Sequence, residues 1–355
     1  MSLDQVRRDI DKVDARLVAL LNERAHLVLK VRDLKQSTSA PAYTPHRERQ
    51  VYTRVAELNQ GPFPPSALKA VYREIMSAAL AMEGKPRIAY MGPAFTFTHL
   101  AAMERFGSQC EYVAVEGVPG TFDEVEQRRA DYGVVPVENS TEGVIRHTLD
   151  HFIGSELKIC SEFSMAVRQN LLTKTGKLDK GTIRLVVSHP QPLAQARHWL
   201  ATHLPGVPTR EMASTTLAAQ VAAKDRSVAA LGNTMTARAY GLKVAASNIQ
   251  DQSDNTTRFL VIGRTVAQPT GHDKTSVMVS LRDRVGALAA MLKPFEDGKI
   301  NLTSIESRPS HHRKWEYYFF IDFLGHQQEP KIQRVLEALR RTVHEVKVLG
   351  SYPTE

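Results

Sequence analysis

The sequence predicts a multidomain chain of three successive fold types: an all-α segment, an α/β segment and a small α+β segment. Three observations predict it. Apolar residues in 1–84 recur at gaps of three and four, as on one face of long helices. From Arg87 to about Gln268 short apolar runs alternate with helical stretches. Residues 275 to 349 run strand, helix, strand, strand, helix, strand. A chain of 355 residues is also too long for one typical domain.

The helical segment comes first. Apolar residues at Leu3, Val6, Ile10, Val13, Leu17 and Leu20, then Leu27, Val31 and Leu34, form the seam of one helix from about Leu3 to Lys35. That helix is roughly 50 Å long. "STSAPAY" breaks it, and Thr44 before Pro45 reads as a cap for a second helix over about 45–60. "GPFPPS" is a turn, and "ALKAVYREIMSAALAME" is the third helix. In the α/β segment, "RIAYMG", "CEYVAV", "YGVVPV", "LKICSEFSMAV", "IRLVVSH", "SVAALG" and "TRFLVIG" are strands. "AQPTGHDK" has linker composition. The last segment has the βαββαβ order of ferredoxin-like domains: "SVMVSLRD", "VGALAAMLKPFEDG", "INLTSIESRPS", "WEYYFFIDFLG", "PKIQRVLEALRRTV" and "EVKVLGSYP".

Composition excludes several classes. No apolar run approaches the roughly 20 residues of a membrane span, and the charged N-terminus lacks the apolar centre of a signal peptide. Two cysteines, Cys110 and Cys160, lack metal-like spacing, so a reducing cytoplasm is expected, with no metal and no cofactor. The formal charge is +8, but Lys and Arg are spread along the chain without a nucleic-acid motif. The densest cluster, "HHRK" at 311–314, reads as a solvated loop. An anionic small-molecule substrate accounts for the charge, with no nucleic acid and no membrane as partner.

One seam position is charged. The gap between Leu20 and Leu27 is filled by Arg24. A buried guanidinium is costly unless paired, so Arg24 either forms an interhelical salt bridge or holds an anion. Lys35 lies on the same face, about 16 Å along the axis, which suits a small dicarboxylate. Arg7 is about 25 Å further up and joins such a site only from an antiparallel partner helix.

"RRDIDKVDARLVALLNER", "KVRDLK", "HRERQ" and "REIMSAALAME" together resemble the all-helical chorismate mutase family. The resemblance implies a dimer of long swapped helices, with Arg7 contributed in trans. Arg24 then binds a substrate carboxylate, Lys35 bonds the ether oxygen, Arg47 and Glu48 line the site, and Glu83 faces the same oxygen. Thr44 and Ala79 depart from the Asp and Ser of some members.

"GPAFTFTHLAA", "DYGVVPVENSTEGVIRHTLD", "SHPQPLAQ", "YGLKVAASNIQD" and "DNTTRFLVIG", in that order, resemble prephenate dehydratases. The resemblance implies two α/β lobes, like periplasmic binding proteins, closing on a cleft. It implies Thr257 as donor to the leaving hydroxyl, with Arg258, Glu138, Asn139, Ser188 and Gln195 around substrate. Glu138 is the reserve acid. Thr96, Thr98 and His99 lie where a turn could present N–H groups to a carboxylate. His99 reads equally as an ordinary first-turn histidine. The family pattern G-P-x-G-T-F is "GPAFTF" here, with Phe95 in place of Gly.

"GALAAMLKPFEDGKINLTSIESRPS" resembles the ACT regulatory module. Gly286, Ala287, Leu288, Asn301, Leu302, Glu306 and Ser307 are then the positions for an L-phenylalanine inhibitor. The implied domains are 1–84, 86–267 and 275–353, in the order of bifunctional chorismate mutase/prephenate dehydratases. The expected partners are chorismate, prephenate, L-phenylalanine and further copies of the chain, as a homodimer or higher even oligomer. An arogenate-preferring dehydratase and a regulatory protein with one inactive catalytic half fit the same motifs.

Overall fold

The structure, a computed structural model of the chain, describes residues 2–38, 43–282, 284–309 and 316–354. The basic cluster at 311–314 and most of the first helix break lie outside the described residues. The chain divides into two compact units.

The first unit holds three helices, α1 (Leu3–Thr38), α2 (Pro45–Leu58) and α3 (Pro65–Gly84), with the segment Phe106–Glu111. Both α1 and α2 pack on α3. Thr44 occupies the cap position of α2, as its place before Pro45 predicts, but its side chain makes no capping hydrogen bond. The α1 seam is left uncovered: Ile10, Val13, Leu17, Leu20 and Leu27 are more than half exposed, and Leu34 is 69% exposed.

The second unit carries three sheets. Its first lobe runs β1 (Arg87–Met91), α4 (Phe97–Phe106), β2 (Glu111–Val115), α5 (Gly117–Glu126), β3 (Tyr132–Asn139), β4 (Gly143–Val144), α6 (Arg146–Gly154) and β5 (Lys158–Ala166). The chain crosses to a second lobe: β6 (Asn170–Thr173), β7 (Leu185–Ser188), α7 (Pro190–Gln195), α8 (Arg197–His203), β8 (Thr209–Glu211), α9 (Thr215–Lys224), β9 (Val228–Gly232), α10 (Thr234–Ala239) and β10 (Lys243–Ala246). It returns as β11 (Thr256–Gly263), which lies between β3 and β5 in the order β2-β1-β3-β11-β5. The second lobe's order is β10-β6-β9-β7-β8. The two crossings are paired, Ile249 N donating to Gln169 O and Val167 N to Asn255 O, both at 2.8 Å.

The third sheet is built from β12 (Asp273–Arg282), β13 (Leu302–Pro309), β14 (Glu316–Leu324) and β15 (Glu345–Pro353), in the order β13-β14-β12-β15. Helices α11 (Ala287–Asp297) and α12 (Pro330–Thr342) cover one face through Val277, Val279, Met291, Phe295, Ile321 and Leu336. The other face shares a core with the first lobe, where Met278, Phe320 and Tyr352 meet Val135, Leu260 and Ile262. Gly350 allows the close approach: a Cβ there would stand 2.3 Å from the Ile159 carbonyl oxygen. Among the described residues no helix is long and apolar enough to cross a membrane.

Candidate active sites

In the helical unit, Lys35 at the end of α1 reaches Glu83 at the end of α3, Nζ donating to Oε2 at 2.8 Å. The pair is largely covered, with side chains 24% and 12% exposed. Arg24 lies half-buried on the same helix as Lys35. Arg47 is exposed on α2 and donates to Gln50 Oε1, while Glu48 is half-buried beside it. Arg7 is exposed and 3.6 Å from Asp4, one turn away. The structure brings Lys35 and Glu83 together; it does not bring Arg7 to them, because one straight helix separates the two ends by tens of ångströms.

In the two-lobed domain the polar cluster forms where β3 ends and β11 begins. Thr257 pairs with Asn139 across the antiparallel ladder. Asn139 Nδ2 donates to Thr257 Oγ1 at 2.9 Å and to Asn255 Oδ1 at 2.9 Å. Asn139 Oδ1 accepts from the backbone N–H of Thr141 and of Glu142 and so fixes the turn leaving β3. Glu142 carries the cluster across the lobes: its Oε1 accepts from Gln195 Nε2 at 3.1 Å, and Gln195 Oε1 accepts from Gln169 Nε2 at 3.1 Å. A hydroxyl that accepts from an amide keeps its own hydrogen to donate. Asn139 thus holds Thr257 Oγ1 in place without using its hydrogen.

Four residues that the sequence motifs single out spend their polar atoms elsewhere. Arg258 and Glu138 do not join Thr257, because neighbouring residues on a strand point to opposite faces. Arg258 turns to the third sheet, with Nε 2.7 Å from Glu162 Oε2 and Nη2 2.6 Å from Asp322 Oδ2. Glu138 is on that face too, 3.7 Å from Arg258. A cavity of about 40 Å³ there is lined by Glu138, Arg258, Ser304, Glu306 and Asp322. Ser188 is fully buried and donates its hydroxyl to Leu231 O, a tie inside the second lobe. His99 supports the turn before α4: Nδ1 accepts from Phe95 N at 3.0 Å, and the ring stacks on Tyr90 at 4.4 Å. Burial pushes the His99 pKa down, favouring the neutral ring that this bond needs.

The turn at Phe95 shows why a glycine fits there. Phe95 has φ +69°, the left-handed region. Its carbonyl accepts from Asn233 Nδ2 and Thr236 Oγ1, and Ala94 O accepts from Thr216 Oγ1, so this turn fastens the first lobe to the second. Thr96 Oγ1 donates to Pro93 O within the turn, and Thr98 is buried. Sequence reasoning missed Asn255, Glu142, Gln169 and the Thr216–Asn233–Thr236 group. Asn255 stands two residues before Thr257, and that proximity was the available signal.

On the third sheet the regulatory positions divide. Gly286 has φ +78° and occupies the cap position before α11. Leu288 and Ile305 are exposed at 45% and 44%, and Asn301 and Ser307 are also exposed. Residues directly opposite on antiparallel strands share a face. Ser307 pairs with Phe319 on the helix face, whereas Glu306 pairs with Phe320 on the face against the first lobe. Leu302 packs among the helix-face residues. Glu306 and Ser307 therefore do not meet one ligand from the same side. Arg308 follows Glu306's face and grips Asp150 of α6 with two bonds, 2.9 and 2.6 Å. Lys347 donates to the carbonyls of Phe152, Ile153 and Ser155 at the end of α6.

Neither cysteine is a nucleophile at neutral pH: burial pushes Cys160 up to about 12 and Cys110 up to about 11.

Family models match three stretches in order: Chorismate mutase type II over residues 6–84, Prephenate dehydratase over 88–267, and ACT domain over 275–341. The bifunctional chorismate mutase/prephenate dehydratase of Aquifex aeolicus is 42% identical over 99% of this chain and 98% of its own length. The Pseudomonas aeruginosa protein of the same description is 42% identical over 99% and 97%. Among solved structures, the prephenate dehydratase of Arthrobacter aurescens in complex with L-Phe superposes with a TM-score of 0.69. It is 32% identical and covers 76% of this chain and 90% of that one.

Proposed function

Because the chain belongs to the bifunctional chorismate mutase/prephenate dehydratase family, we propose that its two reactions run at the Lys35–Glu83 pair and at the Asn139–Thr257 cluster. It is an isomerase and a lyase in one chain, converting chorismate to prephenate and prephenate to phenylpyruvate.

The first reaction is a [3,3] rearrangement and needs no nucleophile. It needs the reactive conformer of chorismate to be held and charge on the breaking C–O bond to be met. Arg24 and Lys35 supply fixed cations on one helix face. Glu83 accepts from Lys35, which supports the Lys35 ammonium as the donor to the ether oxygen. The uncovered α1 seam supports a second copy of this chain as the missing wall, because a monomer seldom leaves so long an apolar stripe in water. That copy brings its Arg7 to the site. Mixing Arg7→Ala chains with Arg24→Ala chains should restore mutase activity at the hybrid site that keeps both arginines. No recovery after verified co-assembly rules out the shared site.

In the second reaction the bond between the ring and its carboxylate carbon breaks and CO₂ leaves. The electron pair moves into the ring, which becomes aromatic and expels its hydroxyl. That hydroxide takes the Thr257 hydrogen and leaves as water, and Thr257 regains a proton from solvent. The observation that carries this reading is the Asn139–Thr257 bond, which leaves the hydroxyl free to donate. Thr257→Val keeps the shape and removes the donor. It should lower dehydratase turnover by roughly 10²–10⁴-fold, and near-normal turnover would move the role elsewhere.

L-phenylalanine as inhibitor is supported by the ACT match and by the relative solved with L-Phe. The exposed Gly286–Leu288 turn and Ser307 are the surface proposed to receive it, and Arg308 and Lys347, which hold α6, are the proposed route to the Asn139 turn. A cytoplasmic location fits two buried, unbridged cysteines.

A further inference from the structure

Around Asn139 the polarity of every amide is fixed by its neighbours. Asn139 Oδ1 takes the backbone N–H of Thr141 at 3.0 Å and of Glu142 at 3.2 Å. Backbone N–H groups only donate, so that end of the amide is its oxygen. Its NH₂ end therefore faces Asn255 Oδ1 and Thr257 Oγ1, each at 2.9 Å. The same logic then fixes Asn255. The atom receiving Asn139 is an oxygen, and the Asn255 Nδ2 lies buried without a hydrogen-bond partner. Asn255 is 2% exposed, and its backbone is tied into the lobe crossing by Val167 N.

An unmet buried NH₂ is costly. Aspartate at 255 has the same shape, would accept the Asn139 N–H equally well and would leave no donor unmet. An ionised carboxylate there would itself be a buried, unpaired charge, so Asp exchanges one folding cost for another. The reaction favours the amide: a carboxylate beside Thr257 would compete for the hydroxyl hydrogen and repel a substrate bearing two carboxylates.

We propose that Asn255 is a positioning residue for the dehydratase reaction. Its carbonyl takes one N–H of Asn139, so that the other stays on Thr257 Oγ1 and the Thr257 hydrogen points at the departing hydroxyl. Its neutrality keeps negative charge away from that hydrogen. The inference rests on Thr257 being the donor.

The test uses the full chain with Asn255→Asp, Asn255→Ala and Thr257→Val, assayed on prephenate across pH, with the thermal midpoint of each measured. Asn255→Asp should fold with a midpoint lowered at neutral pH, where the buried carboxylate is unpaired, and raised again on acidification. Its kcat/KM should fall roughly 10- to 100-fold at neutral pH, the scale of one charge-assisted hydrogen bond. Activity should return as the medium is acidified, because a protonated carboxyl is again neutral and can donate. Asn255→Ala should lower kcat and leave KM nearly unchanged. Wild-type activity in both Asn255 variants alongside an inactive Thr257→Val overturns the role of Asn255 and leaves Thr257 standing. A loss in Asn255→Asp that acid does not relieve also overturns it. Normal turnover in Thr257→Val defeats the Thr257 reading and this one with it.

Discussion

Replacing Arg258 by methionine should loosen the third sheet from the first lobe and leave prephenate binding nearly intact. The guanidinium side chain is 20% exposed and lies within 2.7 Å of Glu162 and 2.6 Å of Asp322. Glu162 also holds Lys274 at 2.6 Å, and Asp322 accepts from Ser276 Oγ. Burial alone would lower the Arg258 pKa. Asp322, Tyr352 and Glu162 more than reverse that, and the pKa stands well above the ordinary arginine value. Removing this cation leaves Glu162, 7% exposed, with Lys274, and Asp322, 13% exposed, with the Ser276 hydroxyl. Breaking a buried pair by deleting one partner costs about 3–5 kcal/mol. Methionine replaces most of the buried stem, and Asp322 keeps Ser276, so the low end, about 3 kcal/mol, applies. A large unit loses about 2–4 °C per kcal/mol, which gives a fall of about 6–12 °C. Scanning calorimetry measures this, and Asp322→Asn in the same chain should recover part of it. KM for prephenate, measured well below the transition, should stay within about twofold, far less than the change of tenfold or more that losing a charged hydrogen bond to substrate brings. An unchanged midpoint with a KM raised tenfold or more would return Arg258 to the substrate.

Phe95→Gly and Phe95→Ala separate backbone strain from packing. Both lose the ring's edge contact with Tyr240, but only glycine relieves φ +69°, so the glycine variant should be the more stable by about 1 kcal/mol in denaturant titration. Equal stability, or a more stable alanine variant, would mean the turn is not strained. Arg308→Met should leave calorimetric L-phenylalanine affinity nearly unchanged while weakening its inhibition of the dehydratase, by the roughly 2- to 30-fold of a 0.5–2 kcal/mol coupling change. Full inhibition in that variant would place the coupling elsewhere than the Arg308–Asp150 pair.

The periodic parts of the molecule were legible because periodicity reports burial. The three helices, the long strands β3, β5 and β11, and the βαββαβ order all follow from apolar spacing. What escaped were β4, β6, β8 and β10, of two to four residues each, too short to show a period. Thr257 and Asn139 were legible through their motifs. Arg258, Glu138 and Glu306 stand on the opposite face from their motif neighbours for one physical reason: a motif is a string of neighbours, and a strand sends neighbours to opposite faces. Ser188 and His99 differ, since each spends its polar atom on a backbone group that lies elsewhere in the fold or four residues away, and for His99 that is the ordinary structural role its place in the first turn also suggests. Asn255 could be found only after the ladder set it beside Asn139.

Two separate active sites in one chain are told apart by supplying Arg24→Ala and Thr257→Val chains with each substrate. On chorismate, Thr257→Val should accumulate prephenate at the normal mutase rate and form almost no phenylpyruvate. On added prephenate, Arg24→Ala should form phenylpyruvate at the normal rate while leaving chorismate untouched. Loss of both activities in either variant, or normal turnover through both steps, would contradict the assignment of the two sites.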